Sequence, residues 1–222
     1  VIDLLEPFWN LLFPPHCPLC HAYVSRRGEW CEVCLPLACM PHRIPLSSSM
    51  REAVDPVWAL GLYRDRLRPL IYRLKYRKQK AVLPYLTTLL RQAMQHEEIR
   101  RLVRTAEVAV PVPLHAGRER LRGFNQSELI FGSWLQENGL PVERLLLRCR
   151  ATVPMYRLTA AQRRVNLSGA FSVTPGAGVY GRRILLLDDI MTTGATLSAC
   201  AETLKRAGAA EVSAIVLASD HH

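Results

Sequence analysis

The sequence predicts an α/β protein, a parallel sheet flanked by helices, with a small N-terminal four-cysteine zinc module. Three observations carry that prediction. Short apolar runs alternate with stretches of helical period from Val57 to Leu217, the pattern of a doubly wound sheet whose ligands belong at the strands' carboxyl ends. One of those runs, Ile184 to Leu187, stops at two adjacent carboxylates, Asp188 and Asp189, and a threonine-glycine turn. Near the start, Cys17-Pro-Leu-Cys20 and Cys31-Glu-Val-Cys34 form two C-x-x-C knuckles separated by ten residues.

Size and composition set the frame. A chain of 222 residues, 49% hydrophobic and 22% charged, is long enough for one α/β core with an appendage, and its composition excludes a disordered chain. Its net charge of +10 and pI of about 9.6 point to an anionic partner: nucleic acid, nucleotide or membrane surface. Residues 1–15, VIDLLEPFWNLLFPP, are too short to span a bilayer. They carry Asp3 and Glu6 where a signal peptide carries bases, so they predict a short amphipathic helix docked on the protein, with a membrane-surface role as the alternative. The chain is therefore expected to be cytoplasmic, or peripheral at the inner face of the membrane, with no transmembrane segment. The start at Val1 reads as a missing initiator methionine and His221-His222 as a tag remnant, and neither end enters the argument.

Each C-x-x-C knuckle can place two thiolates on one tetrahedral ion, so Cys17, Cys20, Cys31 and Cys34 together close a structural zinc site with no open position. A segment this small lacks a core of its own, and metal would supply the missing stability. Cys39, His16, His21 and His42 stand as substitute ligands; metal-free thiols or a disulfide are the competing reading. Cys149 and Cys200, far apart in apolar patterns, are expected in the core. From Leu35 to Pro56 come Pro36, Pro41, Pro45, a serine triplet and Asp55-Pro56, the composition of a linker. This places a boundary near residue 50, with the zinc module and linker at 1–50 and the second domain at 51–222, opening on a strand from Val57 to Tyr63.

Arg64 to Lys80 carries a net +7 over seventeen residues, with Tyr72 and Tyr76 interleaved. Leu67, Leu70, Ile71 and Leu74 recur at helical spacing, so the window predicts an amphipathic helix with a basic outer face. Charge runs are usually solvated faces. Here the excess of one sign and the aromatics favour phosphate contact with base stacking, through Arg73, Lys75, Arg77 and Lys78.

Ala106 to Val112 predicts a buried strand, followed by a loop bearing Arg118, Arg120 and Arg122 that can grip a diphosphate, then a helix opening near Phe124-Asn125-Gln126. Arg148 to Asn166 has five arginines and no acid, which fits a mobile loop closing over a polyanion, with Arg163 and Arg164 near its return. Gly176, Gly178 and Gly181 mark a turn before the Ile184 strand. Gly208-Ala209-Ala210 ends the helix after it, and Glu211 to Leu217 supplies another strand.

The Ile184 strand, its acids and the following Thr192, Thr193, Gly194, Ala195 and Thr196 make a strand, a loop and a helix in that order. Backbone N–H groups at such a helix start lack partners and lie beside the positive end of the helix dipole, so they bind phosphate. Gly194 lets the backbone approach the anion and the threonine hydroxyls add donors. Asp188 and Asp189 would repel phosphate; they suit a vicinal diol, or a Mg²⁺ beside it. Ribose 5-phosphate satisfies both halves. These residues resemble the PRPP-binding loop of the type I phosphoribosyltransferases. That resemblance implies a type I phosphoribosyltransferase-like parallel sheet flanked by helices, with Asp188, Asp189, Thr192, Thr193, Gly194, Ala195, Thr196, Arg118 and Arg122 as PRPP ligands, and the two acids as the catalytic pair.

Four motifs narrow the resemblance: PVPLH at Pro111 to His115, RGFNQS at Arg122 to Ser127, the run Leu158, Arg163 and Asn166 with Ala170-Phe171, and LLLDDIMTTGAT. Together with the four cysteines and the pair Lys75-Tyr76, they resemble the ComF family, including ComFC and GntX. Met155 departs from the glutamine usual in that family. The resemblance implies a protein of natural transformation that handles incoming single-stranded DNA beside the ATP-driven translocase of the same operon and other competence proteins. Three functions follow: a DNA-uptake module with a ribose-phosphate site, an active Mg²⁺-dependent phosphoribosyltransferase using PRPP, and a PRPP-sensing regulator. No stretch identifies an acceptor pocket.

Overall fold

The computed structural model describes residues 12–150, 167 and 169–221. Its centre is a five-stranded sheet in the order β1-β2-β7-β6-β3. The strands are β1 (His42–Arg43), β2 (Val57–Ala59), β3 (Val108–Pro111), β6 (Arg183–Met191) and β7 (Glu211–Ser219). All neighbours pair in parallel except β1, which runs antiparallel along β2. A separate antiparallel pair, β4 (Leu146–Arg148) and β5 (Phe171–Val173), flanks the predicted arginine loop, whose residues 151–166 lie outside the described residues together with Arg163 and Arg164. The same holds for most of the predicted N-terminal helix.

The long strands read as continuous apolar runs because both faces of the sheet are covered. Leu185, Leu187, Ile215 and Leu217 pack on one side with α3 (Arg68–Arg77), α4 (Leu83–Ala93), α5 (Glu97–Thr105) and α7 (Gln126–Glu137). Ile184, Leu186, Ala214 and Val216 pack on the other with α8 (Ala195–Arg206). The remaining helices are short: α1 (Cys34–Ala38), α2 (Ser48–Arg51) and α6 (Ala116–Arg122). Helix α3 buries the predicted Leu70, Ile71 and Leu74; Leu67 precedes it in a π-helical turn, Tyr63–Leu67, within the window predicted to be helical from Arg64, and the strand expected to reach Tyr63 ends at Ala59.

Two expectations are corrected here. The central strand does not stop at its acids: β6 runs through Asp188 and Asp189 to Met191. Its neighbour β3 ends opposite Leu187, whereas β7 pairs on as far as Ser219, so the acids sit in a strand with one open edge. The segment read as a linker is also structured. It supplies α1, the edge strand β1 and α2, whose N-terminus is capped by the Ser47 hydroxyl accepting from Met50 N at 3.4 Å.

The cysteine segment docks on α4. Trp30 Nε1 donates to the Tyr85 carbonyl at 2.8 Å and the Thr88 hydroxyl donates to the Gly28 carbonyl at 2.9 Å. Gly28 has φ +89°, and a Cβ there would lie 2.5 Å from Pro84 Cβ, so only glycine fits this contact. Cys17, Val24, Trp30 and Cys34 belong to the same core as α3 and α4.

Candidate ribose-phosphate site and basic face

The open edge of β6 is filled by the start of α7. Asn125 caps that helix, its Oδ1 accepting from Ser127 N at 3.0 Å, and its Nδ2 donates to the Val112 carbonyl at 2.9 Å, just beyond β3. The cap leaves Ser127 over the acids, where its hydroxyl donates to Asp188 Oδ1 at 3.4 Å. Asp189 N donates to the same oxygen at 2.8 Å. Burial, and then the neighbouring Asp189 carboxylate, push the Asp188 carboxyl up to about 7, against the lowering pull of Lys75 and these two hydrogen bonds.

Beyond Met191 the chain turns through exposed Thr192 and Thr193 to Gly194, which has φ +72° and starts α8 with no side-chain cap. A Cβ on Gly194 would stand 2.4 Å from Met50 Cε and 2.7 Å from Met191 Cε. Glycine is thus required by the backbone turn, whereas the flexible methionine ends packed beneath it would yield to a Cβ. The uncapped amides of a twelve-residue helix face the loop, with Ala195 and Thr196 in the first turn.

Lys75 is not on the basic outer face that the residue pattern predicted for it. Grouped there with Arg73, Arg77 and Lys78 on a solvent-facing surface, it instead turns inward from α3, its Nζ 2.7 Å from Asp189 Oδ2, with 16% of its side chain exposed against 9% for Asp189. The loop predicted to carry Arg118, Arg120 and Arg122 is instead the helix α6, capped by His115 Nδ1 accepting from Gly117 N at 3.3 Å. Arg144 pairs with Glu119 of α6 at 3.0 Å and also with Glu128 of α7. Half-buried Arg122 feels the Asp189 carboxylate and the Arg118 guanidinium; burial lowers its pKa first. Arg148, the first arginine of the stretch predicted to close over a polyanion, lies 5.3 Å from the Phe171 ring centroid. Burial and then Arg118 lower its pKa, while Asp188 acts in the opposite direction. Lys75, Arg118, Arg122 and Arg148 therefore rim the acids with positive charge. An acid oxygen held by Lys75 suits Mg²⁺ only if the lysine yields.

The outer side of α3 is open. Tyr72 and Tyr76 are 48% and 67% exposed with ring centroids 4.9 Å apart, and Arg77, Lys78 and Lys80 are exposed beside them. Lys80 lies over the Phe124 ring at 5.6 Å. Two of the predicted nucleic-acid contacts have neutral partners: Arg73 Nε donates to Gln79 Oε1 at 2.9 Å, and Lys78 Nζ donates to the Leu121 carbonyl at 2.7 Å. Their charges remain available to phosphate.

The sulfurs of Cys17, Cys20, Cys31 and Cys34 all lie within 4.8 Å of one another, so this donor set could hold a metal. A tetrahedral thiolate site with metal–sulfur bonds of about 2.3 Å places sulfurs about 3.8 Å apart, so the cluster needs little contraction. Burial raises the Cys17 thiol, but backbone N–H groups at Cys31, Cys20 and Leu19 outweigh it and bring it down to about 6. Cys39 lies outside the cluster, its thiol donating to the Leu89 carbonyl at 3.6 Å. Cys200 is buried as expected, whereas Cys149 is exposed and meets the Ser172 hydroxyl at 2.8 Å. Among the described residues no helix is long and apolar enough to cross a membrane.

Comparison with known proteins agrees with this arrangement. A phosphoribosyl transferase domain model matches residues 145–222, which include β6, its acids and α8. DNA utilization protein YhgH of Escherichia coli K12 is 34% identical over 203 residues, covering 88% of this chain and 86% of that protein. Competence protein F of Haemophilus influenzae is 28% identical over 202 residues, covering 89% of this chain and 82% of its own. Competence protein ComFC of Bacillus subtilis is 35% identical over 111 residues, half of this chain and 43% of that one. With cysteine cluster, parallel sheet and acid-threonine loop in one order along the chain, the protein belongs to the ComF family, with a phosphoribosyltransferase domain.

Proposed function

We propose that this protein acts in DNA uptake, holding single-stranded DNA on the outer face of α3 and a ribose-phosphate ligand such as PRPP at the end of β6. The observation that carries this reading is the division of α3 between two surfaces: Lys75 enters the acid pair while Tyr72 and Tyr76 stack outward among cations. A small-molecule enzyme has no need of an exposed basic and aromatic face; a single strand uses it for phosphates and stacked bases. The competence and DNA utilization names of its relatives support the same role. Asp188 and Asp189 take the ribose hydroxyls, Thr192 to Thr196 the 5-phosphate, and Arg118 and Arg122 a diphosphate. The four cysteines hold structural zinc, pinning module 1–50 onto domain 51–222. The protein works in the cytoplasm beside the ATP-driven translocase and other competence proteins, and peripherally at the membrane if its N-terminal segment docks there.

Binding of a labelled single strand tests the proposal. Salt-sensitive affinity that falls when α3 is neutralised supports it; equal affinity in the neutralised variant removes the face from the account. The phosphoribosyl transferase domain match favours a second reading, transfer of a phosphoribosyl group from PRPP with Mg²⁺. There the arginines would stabilise departing diphosphate while positive charge develops at the sugar's anomeric carbon. Release of diphosphate from PRPP in the presence of candidate acceptors distinguishes transfer from sensing of PRPP alone.

A further inference from the structure

We propose that Lys75 is a built-in counter-cation of the ribose site, which lets the acid pair bind the vicinal diol of a pentose 5-phosphate without a divalent metal. The inference rests on the ribose-phosphate reading of the site and concerns how that ligand is held.

The Lys75 ammonium already occupies the cation position on Asp189, 2.7 Å from Oδ2. It is fixed there by its backbone: Leu74 beside it and Leu70 and Ile71 one turn back are fully buried under α3, so the lysine stem leaves a clamped helix. Mg²⁺ demands near-octahedral oxygen at about 2.0–2.1 Å and gives up its water reluctantly. To bind Asp189 it would compete with a desolvated ammonium and enter a rim containing Arg118, Arg122 and Arg148. A neutral diol meets none of this opposition. On Asp188, Oδ1 is taken by Ser127 and by the Asp189 amide, leaving Oδ2; on Asp189, Lys75 takes Oδ2, leaving Oδ1. Among the described residues one oxygen on each acid is thus left to accept one hydroxyl, as a vicinal diol requires. The phosphate of the same sugar then falls to the Thr192–Thr196 loop, which needs no metal either.

The test is calorimetric titration of the full chain with ribose 5-phosphate, in EDTA and in excess Mg²⁺, for the wild type and for Lys75→Gln. The wild type is expected to bind equally in both media. Lys75→Gln is expected to bind about tenfold more weakly in EDTA, the scale of one charge-assisted contact, and to recover with Mg²⁺. Weaker binding of 2-deoxyribose 5-phosphate by the wild type would support recognition of the diol. Wild-type binding that requires Mg²⁺, or Lys75→Gln binding like the wild type in EDTA, overturns the role of Lys75 while leaving the ribose-phosphate reading standing. No binding in either medium overturns both. Should Lys75→Gln fail to fold, the two wild-type titrations decide alone.

Discussion

Asp188 carries a carboxyl that titrates near neutrality because it is buried beside a second acid. Its folded-state pKa of about 7 lies above the ordinary 3.8, so the native state keeps a proton that the unfolded chain releases. Stability attributable to Asp188 is therefore present at low pH and is lost as pH rises through that interval. Asp188→Asn should flatten the stability profile across this window and be more stable than wild type at pH ~8 by chemical denaturation, while losing ribose-phosphate binding. An unchanged pH slope would contradict the assignment. Asn125 is a second such residue, since it caps α7 and ties it to the Val112 carbonyl. Asn125→Ala should cost about 1–2 kcal/mol in a thermal or urea melt. The placing of Asp188, Asp189 and the threonines between an apolar run and a helix was legible in the sequence, because their order along the chain states it. Lys75 was not: it adjoins buried Leu74 on a helix flank, and its direction depends on where β6 ends relative to α3, a tertiary fact.

Helix α3 links the two halves of the proposal at the scale of the element. Its apolar spacing was readable, and so was the cationic surplus, but the division of cations between surfaces was not. Neutralising Arg73 and Arg77 together should weaken single-strand binding and lower its salt slope by about 1.4, at about 0.7 per phosphate contact. An intact slope would show that both are solvated charges. The arginines after β3 read as a loop because Gly117 and Gly123 bracket them, yet the seven residues between His115 and Gly123 close as helix α6 once His115 supplies a cap. β6 read as too short because charged residues break an apolar run. Its pairing with β7 overrides that signal and carries the acids inside a strand.

For the molecule as a whole, the cysteine module and the sheet share one core, so metal should stabilise both. The protein purified without chelator should contain about one zinc per chain, as a closed four-thiolate site requires. Its removal should lower the melting temperature of the whole chain, since Trp30 and Gly28 bind the module to α4. Metal content near zero would refute the closed site. The two knuckles were legible from spacing alone, whereas their docking was not, because a tryptophan indole bonding a backbone carbonyl of the sheet domain leaves no periodic trace. The proline-rich stretch looked like a linker for a related reason: its strand is two residues long and exists only by pairing with β2. The central claim, that one basic helix serves a DNA surface and a ribose-phosphate site, is tested most directly by anisotropy of a labelled single-stranded oligonucleotide at two salt concentrations, with and without PRPP. Tight, salt-sensitive binding that PRPP weakens is the predicted result, because bound PRPP brings negative charge to the inner side of the helix whose outer cations hold the strand. No binding at low salt, with PRPP affinity intact, would contradict it.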